Sequence, residues 1–136
     1  MTIYHVGWGR GVGAAQVSTM AELDAVLDSI VVGAEGLPYS VSIVAPDGSD
    51  FPPMLEICIG NPARSFVYHV GDDGSSAWAY EPGLPPGPDF LFDYGGVVTE
   101  AWPERTRVTP SAARAAAREF IGSGSRPDNL SWDVME

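Results

Sequence analysis

The sequence predicts an α+β fold: an antiparallel β-meander sheet with two main helices packed on one face. Three observations lead there. Four or five short runs rich in β-branched and aromatic residues are separated by tight turn chemistry, and such spacing leaves room only for antiparallel neighbours. Two other segments carry helical periodicity behind recognisable caps. The 136 residues make one domain, 1–136, large enough to bury about two-thirds of its unfolded surface.

Thr2 to Trp8 reads as the first strand. The glycine-rich stretch Gly7-Trp8-Gly9-Arg10-Gly11-Val12-Gly13-Ala14 follows, and it contains the G-x-G-x-x-A spacing of a dinucleotide loop. That fingerprint needs a helix N-terminus directly after the turn. Here the next cap is Thr19, so the stretch is read as a turn or bulge. Thr19 and Glu22 have capping-box spacing, and Leu23, Val26, Leu27, Ile30 and Val31 recur with helical period until Gly33 and Gly36. Strands are then expected over Tyr39–Ala45, Met54–Gly60, Ser65–Val70, Ser75–Tyr80 and Val97–Trp102. Pro46-Asp47-Gly48, Asn61-Pro62 and Asp72-Asp73-Gly74 supply turns between them. Prolines 82, 85, 86 and 88 make Glu81–Pro88 a long loop crossing the sheet edge, since proline removes ladder donors. Thr109-Pro110 caps a second helix running through Ile121 and stopping at Gly122, with Ala113, Ala116, Ala117 and Phe120 on its apolar face. Leu130–Val134 alternates as a last strand.

The charge is unusual. Eighteen acids against seven basic residues leave −11, beyond the magnitude of about 2 to 8 usual for a small domain. Residues 11–104 carry fourteen of the acids and a single base, Arg64. Such a surface repels nucleic acid and anionic membrane and suits a basic partner. Cys58 is the only cysteine, so no intrachain disulfide can form. The first ten residues lack the basic and apolar regions of a secretory signal, and a cytoplasmic protein is expected.

Few residues offer chemistry. Cys58 sits between Ile57 and Ile59 and reads as a buried thiol. His5 and His69 have no metal-ligand spacing, and neither a metal nor a cofactor is expected. Arg114 and Arg118, four apart, read as a solvated helix face, open to pairing with nearby acids. The segment Asp72 to Tyr94 is more informative. Asp72, Asp73, Trp78, Tyr80, Glu81, Asp89, Phe90, Asp93 and Tyr94 place aromatic anchors among carboxylates beside a stiff proline loop. Rigid aromatic anchors lower the ordering cost of binding, and carboxylates steer a basic partner. Asp47, Asp50 and Phe51 are added as helpers at that partner surface.

The C-terminal third, RVTPSAARAAAREFIGSGSRPDNLSWDV, together with Trp8 and STMAELDAVLDSI, resembles immunity protein family one of bacterial polymorphic toxin systems, an actinobacterial family often paired with deaminase toxins. The positions carrying the likeness are Trp8, Thr109, Pro110, Glu119, Phe120, Gly124, Arg126, Pro127 and Trp132. The resemblance implies an α+β domain that binds and blocks a cognate toxin, without catalytic residues of its own, and the acidic balance suits a basic one. Two other readings compete: a chaperone-like adaptor for a basic secreted protein, and a small enzyme using His69 or Cys58. The oligomeric state is left open.

Overall fold

The structure, a computed structural model, describes residues 2–10, 13–34, 36–46 and 50–135. Strand β1 (Tyr4–Trp8) pairs antiparallel with β2 (Gly13–Val17), Tyr4 opposite Val17 and Trp8 opposite Gly13. The described ends of the glycine-rich stretch are therefore paired strand residues, and Gly9, just after β1, takes φ +65°. Strand β2 was not expected, because Ala14-Ala15-Gln16 has weak strand propensity. Pairing with β1 holds it extended.

Helix α1 (Met20–Gly33) opens as predicted: Thr19 Oγ1 accepts the Glu22 N–H at 3.1 Å. Glu22 Oε1 reaches back to the Ser18 N–H at 3.0 Å, one residue before the cap. Such reciprocal bonds satisfy donors that the first turn cannot. The helix carries the chain from β2 to β3 (Tyr39–Val44), on the other side of β1. The meander β3, β4 (Met54–Ile59), β5 (Val67–Val70), β6 (Ser76–Tyr80) follows, and β9 (Ser131–Met135) joins β6. The strand order is β2-β1-β3-β4-β5-β6-β9.

Helix α2 (Pro110–Ser123) begins at the predicted Thr109 cap, which accepts the Ala112 N–H at 3.3 Å. It stops two residues later than expected. Gly124, not Gly122, takes the left-handed conformation at φ +73°, and its N–H bonds Phe120 O at 2.7 Å. One left-handed residue is enough to end a helix, so Gly122 stays helical.

Alternation along the strands turns Val6, Val41, Ile43, Leu55, Ile57, Ile59 and Val67 towards the helices. There they meet Leu23, Leu27 and Ile30 of α1 and Ala113, Ala116, Ala117 and Phe120 of α2. Both helices thus cover one sheet face. The alanines of α2 bring its backbone close to the sheet, and Phe120 fills the remaining space edge-on to Tyr4. Arg114 and Arg118 bond Asp28 at 2.8 Å and Asp24 at 2.9 Å, joining the two helices rather than lying free.

The segment after the prolines departs from the expected meander. Phe90–Tyr94, not predicted as a strand, is β7, and it pairs antiparallel with β8 (Val97–Ala101) through Gly95 and Gly96, at φ +58° and +93°. Two consecutive positive φ values make the tight turn that matches strand twist. This hairpin touches the main sheet's ladder only where Asp93 pairs parallel with Tyr39. It lies across the face opposite the helices, burying Phe92 and Ala101 against Cys58 and Phe66, with Phe90 and Trp78 partly buried alongside. The prolines prevent direct return from β6, and β9 takes that edge instead.

Candidate binding face

The face turned away from the helices is built by strict register. Ser42 stands opposite Glu56, Glu56 opposite Tyr68, and Tyr68 opposite Trp78, so all four side chains share it. Ser40 and Cys58 form the next pair on the same side. The β7–β8 hairpin covers part of this face and leaves two neighbouring hollows. One is an apolar groove of about 350 Å³ lined by Phe66, Trp78, Phe92, Tyr94, Trp102 and Arg105. The other is a polar recess of about 260 Å³ lined by Gly7, Ser40, Ser42, Glu56, Tyr94 and Gly95, among others. Tyr94 borders both.

Large apolar groups reach solvent here. Trp102 is 66% exposed and Tyr94 51%, and Leu91, Val97 and Val98 are also exposed. Between positions 89 and 104 the chain carries Asp89, Asp93, Glu100 and Glu104 and no base. By register Leu91 and Val98 lie on the outer side of the hairpin and Tyr94 and Val97 on the side of Phe92, and exposed apolar groups set among carboxylates are the usual mark of an interaction site. Arg105 and Arg107 lie over the Trp78 and Tyr80 rings, 5.1 and 4.9 Å from their centroids. Arg105 also contacts Asp133 at 3.5 Å. Burial pushes the Glu56 carboxyl above its ordinary range, against a 3.1 Å hydrogen bond donated by Ser40 Oγ. The negative Glu56 in turn raises the Tyr94 phenol, with burial adding to it.

The predicted contact residues divide. Trp78, Tyr80, Phe90, Asp93 and Tyr94 come together on or beside this face, with Asp89 exposed at the foot of the hairpin. Asp93 is partly occupied by the turn, accepting the Gly96 N–H at 2.9 Å. Glu81 is committed to the scaffold: Oε2 accepts the Thr109 N–H at 2.7 Å, anchoring the start of α2. Asp50, Phe51, Asp72 and Asp73 gather at the other end of the sheet, in the β3–β4 and β5–β6 connections, where Met54 pairs with Val70. Phe51 is 72% exposed there. Hydrogen bonds from Ser75 hold the Asp73 carboxyl below its ordinary range. Asp47 lies outside the described residues.

Sequence reasoning passed over Glu56, Leu91, Val97, Val98 and Trp102. Glu56 had a signal: it is the one acid inside the apolar run from Met54 to Ile59. Val97-Val98 beside a Gly-Gly pair was a second signal, of a hairpin with an apolar outer strand.

The reactive candidates are poorly placed for chemistry. Cys58 is buried, and burial pushes its thiol up to about 12, so the thiolate is scarce at neutral pH. His69 is 7% exposed on the helix side, its ring 6.0 Å from both Phe120 and Trp132. Burial lowers its pKa, Arg126 lowers it further, and Asp73 opposes them. His69 and Cys58 therefore occupy opposite sides of the sheet and form no pair. Exposed His5, on β1, is separated from Cys58 by β3 and from His69 by β3 and β4. Among the described residues no three His, Cys, Asp or Glu side chains are grouped to hold a metal. Nor is any helix there long and apolar enough to cross a membrane.

Fold and face together have the make-up of an α+β binding domain. The family model described as Immunity protein Imm1 matches residues 12–133, and the chain belongs to that family. Membership points to toxin immunity through a non-enzymatic, inhibitory role, with a cognate toxin as the partner. No curated protein matches the chain. The motif positions of the C-terminal third serve the fold. Thr109 and Pro110 start α2 and Gly124 ends it; Glu119 Oε1 accepts the Asp128 N–H at 2.8 Å; Trp132 Nε1 donates to Pro127 O at 2.8 Å beneath the Arg126 guanidinium.

Proposed function

We propose that this chain neutralises a basic toxin domain that acts on nucleic acid, a deaminase or nuclease, by stoichiometric binding in the cytoplasm. The contact is the face opposite the helices together with the β7–β8 hairpin. Asp50, Phe51, Asp72 and Asp73 form a second acidic patch that steers approach from the rim. The observation that carries this reading is the four-acid, base-free stretch from Asp89 to Glu104 threaded through exposed Leu91, Tyr94, Val97, Val98 and Trp102. An enzyme that grips nucleic acid presents positive charge, and an acidic inhibitor meets it with fast, salt-sensitive association.

The test is stopped-flow association with the toxin domain between 50 and 500 mM salt. At low salt the on-rate should approach about 10⁸ M⁻¹s⁻¹ and fall steeply as salt rises. Neutralising Asp89, Glu100 and Glu104 together should slow capture, and Trp102→Ala should speed release. An on-rate indifferent to salt would remove charge steering, and unaltered release by Trp102→Ala would move the contact off the hairpin.

A further inference from the structure

We propose that the polar recess bordered by Gly7, Gly13, Ser42 and Gly95 receives one arginine or lysine side chain of the toxin, with Glu56 as the carboxylate that binds it. The assignment rests on the immunity reading above and names the chemistry of one contact within it. Gly7, Gly9, Gly13 and Gly95 all contribute to the lining; a Cβ at Gly7 or Gly95 would meet at most Ser42 Oγ, at 3.5 Å, so the recess stays open there, while the Trp8 ring takes the space beside Gly13. Among the described residues that line it, the ionisable groups are Glu56 and Tyr94. The glycine-rich stretch that could suggest a phosphate loop thus faces a carboxylate, and α1 begins only after β2 has intervened. A phosphate would be repelled there; a cation would not.

Among the described residues Glu56 has no charge partner of its own. Ser40 Oγ donates to Oε1, while the ion pairs among the described residues engage Asp24, Asp28 and Asp133. Arg10, whose stem lies against Gly96 at the hairpin tip, makes no ion pair with it. A half-buried carboxylate without a cation is unfavourable until one arrives. The upward displacement of both Glu56 and Tyr94 agrees with a recess short of positive charge. Tyr94, exposed on the recess wall, supplies an apolar surface for the aliphatic stem of the incoming side chain.

The experiment measures Kd for the cognate toxin domain in a catalytically inactivated form. It compares wild type, Glu56→Gln and Gly7→Val, and repeats each against single Arg or Lys→Gln variants of the toxin. Glu56→Gln keeps shape and removes charge. Gly7→Val fills the recess, since a Cβ at Gly7 meets only Ser42 Oγ, at 3.5 Å. Each should weaken binding roughly 10- to 100-fold with the melting temperature retained. One toxin substitution should cost as much against wild type and nothing further against Glu56→Gln. A Glu56→Gln chain binding within about two-fold of wild type, or strict additivity with every toxin substitution, overturns the recess while leaving immunity intact. Failure of the wild-type chain to bind overturns both.

Discussion

Replacing Glu81 with alanine removes the carboxylate that ties the loop after β6 to the start of α2. Oε2 accepts the Thr109 N–H at 2.7 Å and Oε1 lies 3.4 Å from Thr109 Oγ1, the same hydroxyl that caps the Ala112 N–H. A hydrogen bond to an ionised acceptor contributes about 1.5–3 kcal/mol, and a negative charge at a helix N-terminus about 0.3–1 kcal/mol. Glu81 and Thr109 are both half-buried, so water recovers part of the lost bonding. The net cost should be about 1–2 kcal/mol, a fall in Tm of roughly 3 to 8 °C for a chain this size. Urea unfolding by circular dichroism measures it, with the m-value held constant as the check that only stability changed. Toxin affinity, measured well below Tm, should stay within about two-fold of wild type. An unchanged midpoint with weakened toxin binding would refute this, showing Glu81 to be a contact residue rather than an anchor for α2.

Three further outcomes are expected. Because burial depresses the His69 pKa below its ordinary 6.5, the unfolded chain binds a proton that the folded chain refuses, so its stabilising contribution is complete above pH 6.5 and is lost as pH falls through the folded value. Urea midpoints between pH 7.5 and 5 should decline, and the decline should be shallower in His69→Gln; equal slopes would exclude the linkage. Cys58 should resist iodoacetamide at pH 8 in the folded protein and react once unfolded in urea, as mass spectrometry would show; rapid labelling of the native chain would contradict its burial. Gly13→Ala places a methyl group into the Trp8 ring, and overpacking of this kind should cost about 1–3 kcal/mol in the same urea assay, with no effect if the ring turns aside freely.

Both helix caps and the turn between β5 and β6 are legible because their determining contacts lie within a few residues, although the equally local Gly95-Gly96 turn escapes the reading. Thr19 with Glu22 and Thr109 with Pro110 set both helix starts, and Asp72-Asp73-Gly74 turns β5 into β6, because caps and tight turns are satisfied by neighbouring backbone. Where two glycines competed, at 122 and 124, the local rule could not choose between them.

The amino-acid sequence by itself determined the α+β class, the two capped helices, the central meander and the acidic balance of the surface, since each follows from residue type and short-range spacing. Only the tertiary structure decided that Phe90–Ala101 folds over the second face, that Glu81 spans 28 positions to reach Thr109, and that Glu56 and Tyr94 share one recess. It also parted Asp72 and Asp73 from Tyr94, although they lie in one continuous segment. The physical reason is common to all four. Alternation tells which way a side chain points but not what lies above it, and that is settled by the burial gained when distant segments close upon each other.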